Sequence, residues 1–222
     1  MRILYHMPLS PFCRKVRITL KEKGLPFELR GENVWERRDE FLSLNPAGCV
    51  PVLVEADDTA IADSSAIAEY LHEVQPQPDL LGATPAERAE TRRLIAWFDD
   101  KFYQEATRNV FGEKVMKRFL GRGEPDSATV RAGLANIRVH LDYIAYLTER
   151  RAWLAGERFS MADVAAAAQL SSIDYIGDVP WSHQDAARDW YARVKSRPSF
   201  QPLLEDRIPG LRPSSHYDDL DF

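Results

Sequence analysis

The hydrophobic pattern of the chain changes near residue 75, and this change limits the possible folds more than any other feature. Before it, short apolar runs alternate with helical stretches in the order strand, helix, strand, helix, strand, strand, helix. After it, apolar residues recur only at helical spacing. We therefore predict an α/β domain of order βαβαββα over residues 1–75, a proline-rich linker over 76–86, an all-α domain over 87–204 and an extended acidic-aromatic tail over 205–222.

Charge and length exclude several classes of protein. The 222 residues carry a net charge of -5 without a Lys/Arg-dense run, which argues against a nucleic-acid or anionic-membrane surface. No apolar run is long enough to cross a bilayer, and the first residues enter a strand pattern directly, which predicts a cytoplasmic protein. Cys13 and Cys49 are too few for a disulfide framework, and the histidines lack the spacing of a metal site, so we predict free thiols and no metal.

Two helix starts stand out in the first domain. Ser10 precedes Pro11, the pattern of an N-cap followed by a proline whose missing N–H costs nothing. Asp63 and Ser64 precede an apolar helical face in the same way. Both starts need these residue types for folding alone, so their presence is weak support for catalysis.

Two more helix starts are predicted in the second domain. Ser127 is the predicted cap of one helix, and Ser160 with Asp163 is predicted to form a capping box at another.

Four segments together resemble the glutathione-transferase superfamily. They are residues 10–13 (SPFC), 45–53 (NPAGCVPVL), 62–71 (ADSSAIAEYL) and 159–163 (FSMAD), the last at the start of a helix in the second domain. The resemblance extends to about residue 204. It implies a thioredoxin-like first domain, an all-helical second domain and, as in that family, a homodimer.

The resemblance also implies a glutathione site. Val50 and Pro51 are expected to form a cis peptide that presents an extended backbone edge to the tripeptide. Asp63 and Ser64 would hold its γ-glutamyl carboxylate at a helix N-terminus. Ser10 would hydrogen-bond the glutathione sulfur and favour the thiolate.

At two positions near the start of the first helix, a purely structural role and a functional role both remain open. Ser10 is either a helix cap or a thiol-activating hydroxyl, and the two roles are compatible. Cys13 either has a thiolate favoured by the helix N-terminus or is a small buried apolar residue.

A second resemblance concerns residues 30–40 (RGENVWERRDE) and the tail, which includes residues 209–213 (PGLRP) and 216–222 (HYDDLDF). Both are similar to segments of a group of alphaproteobacterial, FtsZ-binding, transferase-like division proteins. That similarity implies a partner, the tubulin-like FtsZ, and a place of action at the division site. The tail is then either a strap on its own domain or a recognition peptide.

The sequence itself also indicates surface residues that would contact such a partner. Trp35 lies in a charged stretch, and its role is either that of an interface anchor or that of a local lid. The basic group formed by Lys114, Lys117, Arg118 and Arg122 is either a solvated face or a dock for an acidic peptide. The predicted partner-binding residues are Trp35, Leu42, Lys114, Arg118, Tyr217, Leu220, Asp221 and Phe222.

The sequence thus supports two functions. The first is an FtsZ-binding division protein, dimeric and without significant transferase activity, which requires no cofactor. The second is a glutathione transferase or isomerase that uses Ser10.

Overall fold

The computed structural model describes residues 1–220 of the chain. Its first part forms a four-stranded sheet with the strand order β2-β1-β3-β4. β2 runs parallel to β1, whereas β3 is antiparallel to both β1 and β4. The strands are β1 (Arg2–His6), β2 (Phe27–Gly31), β3 (Val52–Val54) and β4 (Ala60–Ala62), and the helices between and after them are α1 (Pro11–Glu22), α2 (Asp39–Leu44) and α3 (Ser64–Val74). The predicted order βαβαββα is confirmed.

The rest of the structure is helical, as predicted. Its helices are α4 (Pro85–Ala96), α5 (Lys117–Phe119), α6 (Ser127–Thr148), α7 (Met161–Tyr175), α8 (Asp185–Lys195) and α9 (Gln201–Leu204). α4 continues into a π-helical segment, Trp97–Met116. Buried side chains recur every fourth residue from Leu94 to Val110, a repeat that fits turns wider than those of an α-helix. No helix within residues 1–220 is both long and apolar enough to span a membrane.

Helix α1 joins the two parts because both of its faces are buried. Val16 and Leu20 pack with Leu4 of the sheet, while Ile18 on the other side belongs to the core of the helical region. α7 is the neighbour of α1 on that side, and all of its residues are buried. The first turn of α1 is therefore held between the sheet and the helical bundle.

The helix caps agree with the sequence except at one position. Ser10 caps α1, Asp63 caps α3, and Ser160 with Asp163 forms a capping box at α7. The cap predicted at Ser127 is wrong, because the Asp126 carboxylate accepts the Thr129 N–H at 2.7 Å. Asp is as good an N-cap as Ser, and here it comes one residue earlier.

The described part of the tail, residues 205–220, packs against α1, α7 and α8, and we call it the strap. Tyr175 of α7 donates its hydroxyl to the Leu211 carbonyl at 3.0 Å and accepts the Ser214 N–H on its own carbonyl at 2.7 Å. Lys195 of α8 donates to the Asp219 carbonyl at 2.5 Å. Of the two interpretations of the tail, the strap is the one that residues 205–220 adopt.

Candidate functional site

A cleft of about 920 Å³ lies between the sheet domain and the helical region. Every residue predicted to hold glutathione lines it. From the first domain it is lined by Ser10, Phe12, Val50, Pro51, Asp63 and Ser64, and from the helical region by Tyr103, Thr107 and Phe111. The fold therefore brings four separate sequence segments to one site.

Ser10 lies at the start of α1, half-buried at the cleft wall. Its hydroxyl oxygen accepts the Cys13 N–H at 3.4 Å, a long bond for a cap. A hydroxyl that accepts with its oxygen still has its proton, which Ser10 can donate either to Cys13 Sγ or to a group in the cleft. Ser10 can thus cap the helix and hydrogen-bond a group in the cleft at the same time.

Cys13 is fully buried beneath the first turn of α1. Burial raises the pKa of its thiol to about 11, and this outweighs the hydrogen bonds that Sγ makes with Ser10 and Met7. The expectation that the helix N-terminus favours a Cys13 thiolate is therefore wrong. The alternative, a small buried apolar residue, is confirmed.

The loop before β3 presents Val50 to the cleft through the predicted cis Val50–Pro51 peptide. Asn45 orders this loop, since its side chain donates to the Cys49 carbonyl at 2.8 Å and accepts the Ala47 N–H at 3.2 Å. Gly48 has a φ of +64°, and a Cβ there would lie 3.1 Å from Cδ2 of Leu42. The loop therefore rests closely on α2.

Asp63 and Ser64 form the cleft end of α3. The Asp63 carboxylate accepts the N–H groups of Ser65 and Ala66 at 2.7 and 3.1 Å. Ser64 is nearly buried but still lines the cleft. The helix N-terminus, with its positive dipole end, suits the carboxylate of an extended ligand.

Behind this helix end lies a buried ion pair that the sequence did not indicate. Lys15 of α1 donates to Asp99 of the π-helical segment and, at 3.2 Å, to the Ser65 hydroxyl. Burial raises the pKa of Asp99, and Lys15 opposes this. The pair links α3 to the helical region, and no local pattern could reveal it because its members are 84 residues apart.

The opposite wall is aromatic. The rings of Phe12 and Tyr103 lie 5.0 Å apart, and Phe111 lies further along the same wall. Sequence reasoning missed Tyr103 and Phe111, because the π-helical turns change which residues share a face. The cleft therefore combines a polar end at α3 with an apolar wall.

Trp35 lies in a short 3₁₀ turn, Val34–Glu36, and exposes 42% of its surface. Its neighbour Val34 lines the cleft. Leu42 is half-buried beneath Gly48, while Phe41 beside it points into the core. Trp35 therefore offers an exposed aromatic surface at the cleft rim, and Leu42 supports the adjoining loop.

Two of the four residues of the basic group, Lys114 and Lys117, are paired with acids. Lys114 binds Asp178 at 2.7 Å, and Lys117 binds Glu113 at 2.8 Å. Arg118 is exposed, and Lys117 and Arg122 line the far end of the cleft. This pairing weakens the interpretation of the group as a dock for an acidic peptide. Glu113 stands four residues before Lys117, whereas Asp178 is brought to Lys114 by folding across 64 residues of chain.

Of the tail residues assigned to a partner, the strap buries Tyr217 completely and Leu220 in part. Tyr217 is 0% exposed, and Leu220 is half-buried against the core. Tyr217 thus has no surface with which to contact a partner, and its assignment as a partner-binding residue is corrected to packing within the molecule. Asp221 and Phe222, also assigned to a partner, lie outside the described residues.

Known proteins resemble this chain over its whole length. Residues 4–79 match the family model of the glutathione S-transferase N-terminal domain. FtsZ-localized protein A of Caulobacter vibrioides is 52% identical over 224 residues, which cover 100% of this chain and 98% of that protein. A glutathione S-transferase structure from Rhodospirillum rubrum F11 has 55% identity and a TM-score of 0.98 over 100% of both chains. The structure of FzlA from C. crescentus has 52% identity and a TM-score of 0.97, covering 100% of this chain and 99% of that one. Sequence, sheet topology and cleft agree, and the chain belongs to the glutathione S-transferase family.

Proposed function

We propose that this protein associates with FtsZ filaments and regulates bacterial cell division from the cytoplasm, at the division site. The observation that carries the proposal is the 52% identity to FtsZ-localized protein A. That likeness covers 100% of this chain, so it includes residues 30–40 and the tail, which lie outside the motifs of the transferase fold. The aligned region thus includes these two segments as well as the motifs of the fold.

Trp35 is the best candidate for the anchor of this interface. Aromatic side chains dominate the binding energy of many interfaces, and they do so when a polar rim surrounds them. Trp35 is 42% exposed, and Arg37 and Arg38 follow it. FtsZ is acidic, so the exposed Arg118 contributes steering more than affinity.

Co-sedimentation with GTP-assembled FtsZ tests the association. The parent protein pellets with the filaments, and Trp35→Ala weakens this binding by roughly tenfold or more, as expected for an aromatic anchor. Leu29→Ala is the matched control, because Leu29 is exposed to a similar extent, 44%, on the outer strand β2. The proposal fails if the parent protein does not pellet above the level without FtsZ.

A homodimer would give this association its effect on filaments. Two identical sites on one particle bridge neighbouring filaments by avidity, which bundles or bends them. Val139 and Tyr146 support a dimer contact, since they lie seven residues apart on α6 and are 63% and 53% exposed. We expect Val139→Asp to yield monomers in analytical ultracentrifugation that still pellet with FtsZ but no longer bundle it in electron micrographs.

A second candidate function is glutathione-dependent chemistry. It is favoured by the convergence of Ser10, Val50, Pro51, Asp63 and Ser64 on one cleft. In this function the α3 N-terminus holds a carboxylate, the Val50 backbone pairs with the peptide and Ser10 donates to the sulfur.

A thermal-shift titration tests this candidate. A ligand that binds the folded state raises the melting temperature by mass action, so glutathione at millimolar concentration must raise it. If glutathione binds and Ser10→Ala abolishes conjugation of an electrophile, the transferase function takes precedence. An unchanged melting temperature eliminates it.

A further inference from the structure

Arg14, on the first turn of α1, is a buried cation at the junction of three parts of the molecule. Its side chain is 0% exposed, and four of its five N–H groups have acceptors. Nη1 donates to the Ser171 hydroxyl of α7 at 2.9 Å and to the Tyr217 hydroxyl of the strap at 2.8 Å. Nη2 donates to the Asp206 carboxylate at 3.1 Å.

The remaining bond of Arg14 reaches the cleft wall. Nε donates to the Pro8 carbonyl at 2.8 Å, in the turn of residues 7–10 that ends in Ser10. We call this segment the 7–10 turn. Its Leu9 carbonyl accepts the Ser172 hydroxyl at 2.8 Å, and its Met7 N–H donates to Cys13 Sγ at 3.5 Å. One guanidinium therefore contacts both the strap and the turn that carries Ser10.

The strap stabilises the buried charge of Arg14. Burial disfavours a charged guanidinium, yet Tyr217 and Asp206 more than offset it and raise the pKa of Arg14. Asp206 is shared with Arg17, which binds it at 2.8 and 3.0 Å. The Tyr217 hydroxyl accepts from Arg14 and donates to the Leu203 carbonyl at 3.2 Å, but it is not shared with Arg17. It is therefore the strap contact through which Arg14 can be changed most selectively.

We propose that the strap positions the cleft wall, with Tyr217 acting through Arg14 on the 7–10 turn and hence on Ser10. Tyr217 is thus a positioning residue, although it lies outside the cleft. Because the guanidinium is planar and rigid, the position of Nη1, which Tyr217 fixes, also fixes the position of Nε and its bond to the Pro8 carbonyl. This inference does not depend on what the cleft binds.

Cys13 provides a direct readout of the 7–10 turn. Its thiol is buried and bonded to the Met7 N–H, so it is alkylated only when the turn opens. In a Cys49→Ser background, iodoacetamide reports Cys13 alone, because the chain has two cysteines. Tyr217→Phe keeps the ring that packs edge-on against Tyr175 at 5.1 Å and removes only the hydroxyl.

We expect Tyr217→Phe to accelerate Cys13 alkylation roughly tenfold, as fits the loss of a hydrogen bond to a charged group. Asp218→Asn is the matched control: it breaks the exposed strap pair with Arg207 without touching Arg14, and alkylation should keep the parent rate. Amide exchange should rise in residues 7–16 and stay unchanged in β3 and β4. Parent-like alkylation in Tyr217→Phe, equal acceleration in Asp218→Asn, or a rise in exchange across the whole sheet would each overturn the proposal.

Discussion

Ser10 and Arg14 stand one turn apart on the same helix, yet their surroundings are opposite. Ser10 borders an open cleft and keeps a proton to donate, whereas Arg14 lies in a closed site where its hydrogen-bond partners come from within the molecule. A polar group whose hydrogen-bond partners lie within the protein stabilises the fold but has no free donor or acceptor for a ligand. A polar group that faces a cleft adds less to stability and remains able to bind a ligand.

The largest effect is expected where Arg14 is removed. Arg14→Met leaves Asp206, Tyr217 and the Pro8 carbonyl without this donor in a buried site, which should lower the free energy of unfolding by about 3–5 kcal/mol. Urea denaturation measures it. Arg92→Met, which breaks an exposed pair with Glu69, is the control and should cost less than about 1 kcal/mol. Similar losses in both variants would erase the distinction between closed and open sites.

The next effect is a pH dependence at the closed site. Burial, together with the positive charge of Arg17, lowers the pKa of His6 from 6.5 to about 4. As the pH falls, His6 is therefore protonated in the unfolded chain before it is protonated in the folded protein. The contribution of His6 to the free energy of unfolding is complete above pH 6.5 and declines toward pH 4 by about 3 kcal/mol. In urea titrations across this range, His6→Phe should flatten the decline relative to the parent. A parallel decline in the variant would assign it to other groups.

A smaller effect is expected at the cleft end of α3. Asp63→Ala removes the carboxylate that caps the helix and places Ala at a φ of +76°, which should cost about 1–2 kcal/mol. Asp63→Asn should retain parental stability, since Asn also caps helices and also tolerates this conformation. Thermal denaturation compares the two, and an equal loss in both would mean that the charge, rather than the cap, is what matters.

The smallest effect is expected at Ser10. Its cap bond is long, so Ser10→Ala should change the free energy of unfolding by only about 0.5 kcal/mol, measured by urea denaturation. Any larger consequence should appear in ligand binding at the cleft. A loss of stability comparable to that of Arg14→Met would place Ser10 among the structural residues.

Local patterns were enough for much of the architecture. The strand and helix order and the caps at Ser10, Asp63 and Ser160 depend on short segments, which is why they could be predicted. The cis Val50–Pro51 peptide was expected from the family resemblance, and the structure contains it. The convergence of the predicted glutathione residues was also correct, because it followed from a family resemblance that fixes the fold. The sequence did not predict which side chains of the π-helical segment share a face. For this reason the aromatic wall at Tyr103 and Phe111 was missed.

The sequence by itself determined which elements form and where the helices start, since capping and periodicity act over a few residues. Only the tertiary structure decided which polar groups remain available to bind a ligand or a partner. Lys114 meets Asp178, Lys15 meets Asp99 and Tyr217 meets Arg14 across 64, 84 and 203 residues of chain. Burial and pairing depend on such distant neighbours, so Lys114 and Tyr217, which were predicted from the sequence to contact a partner, instead form contacts within the molecule.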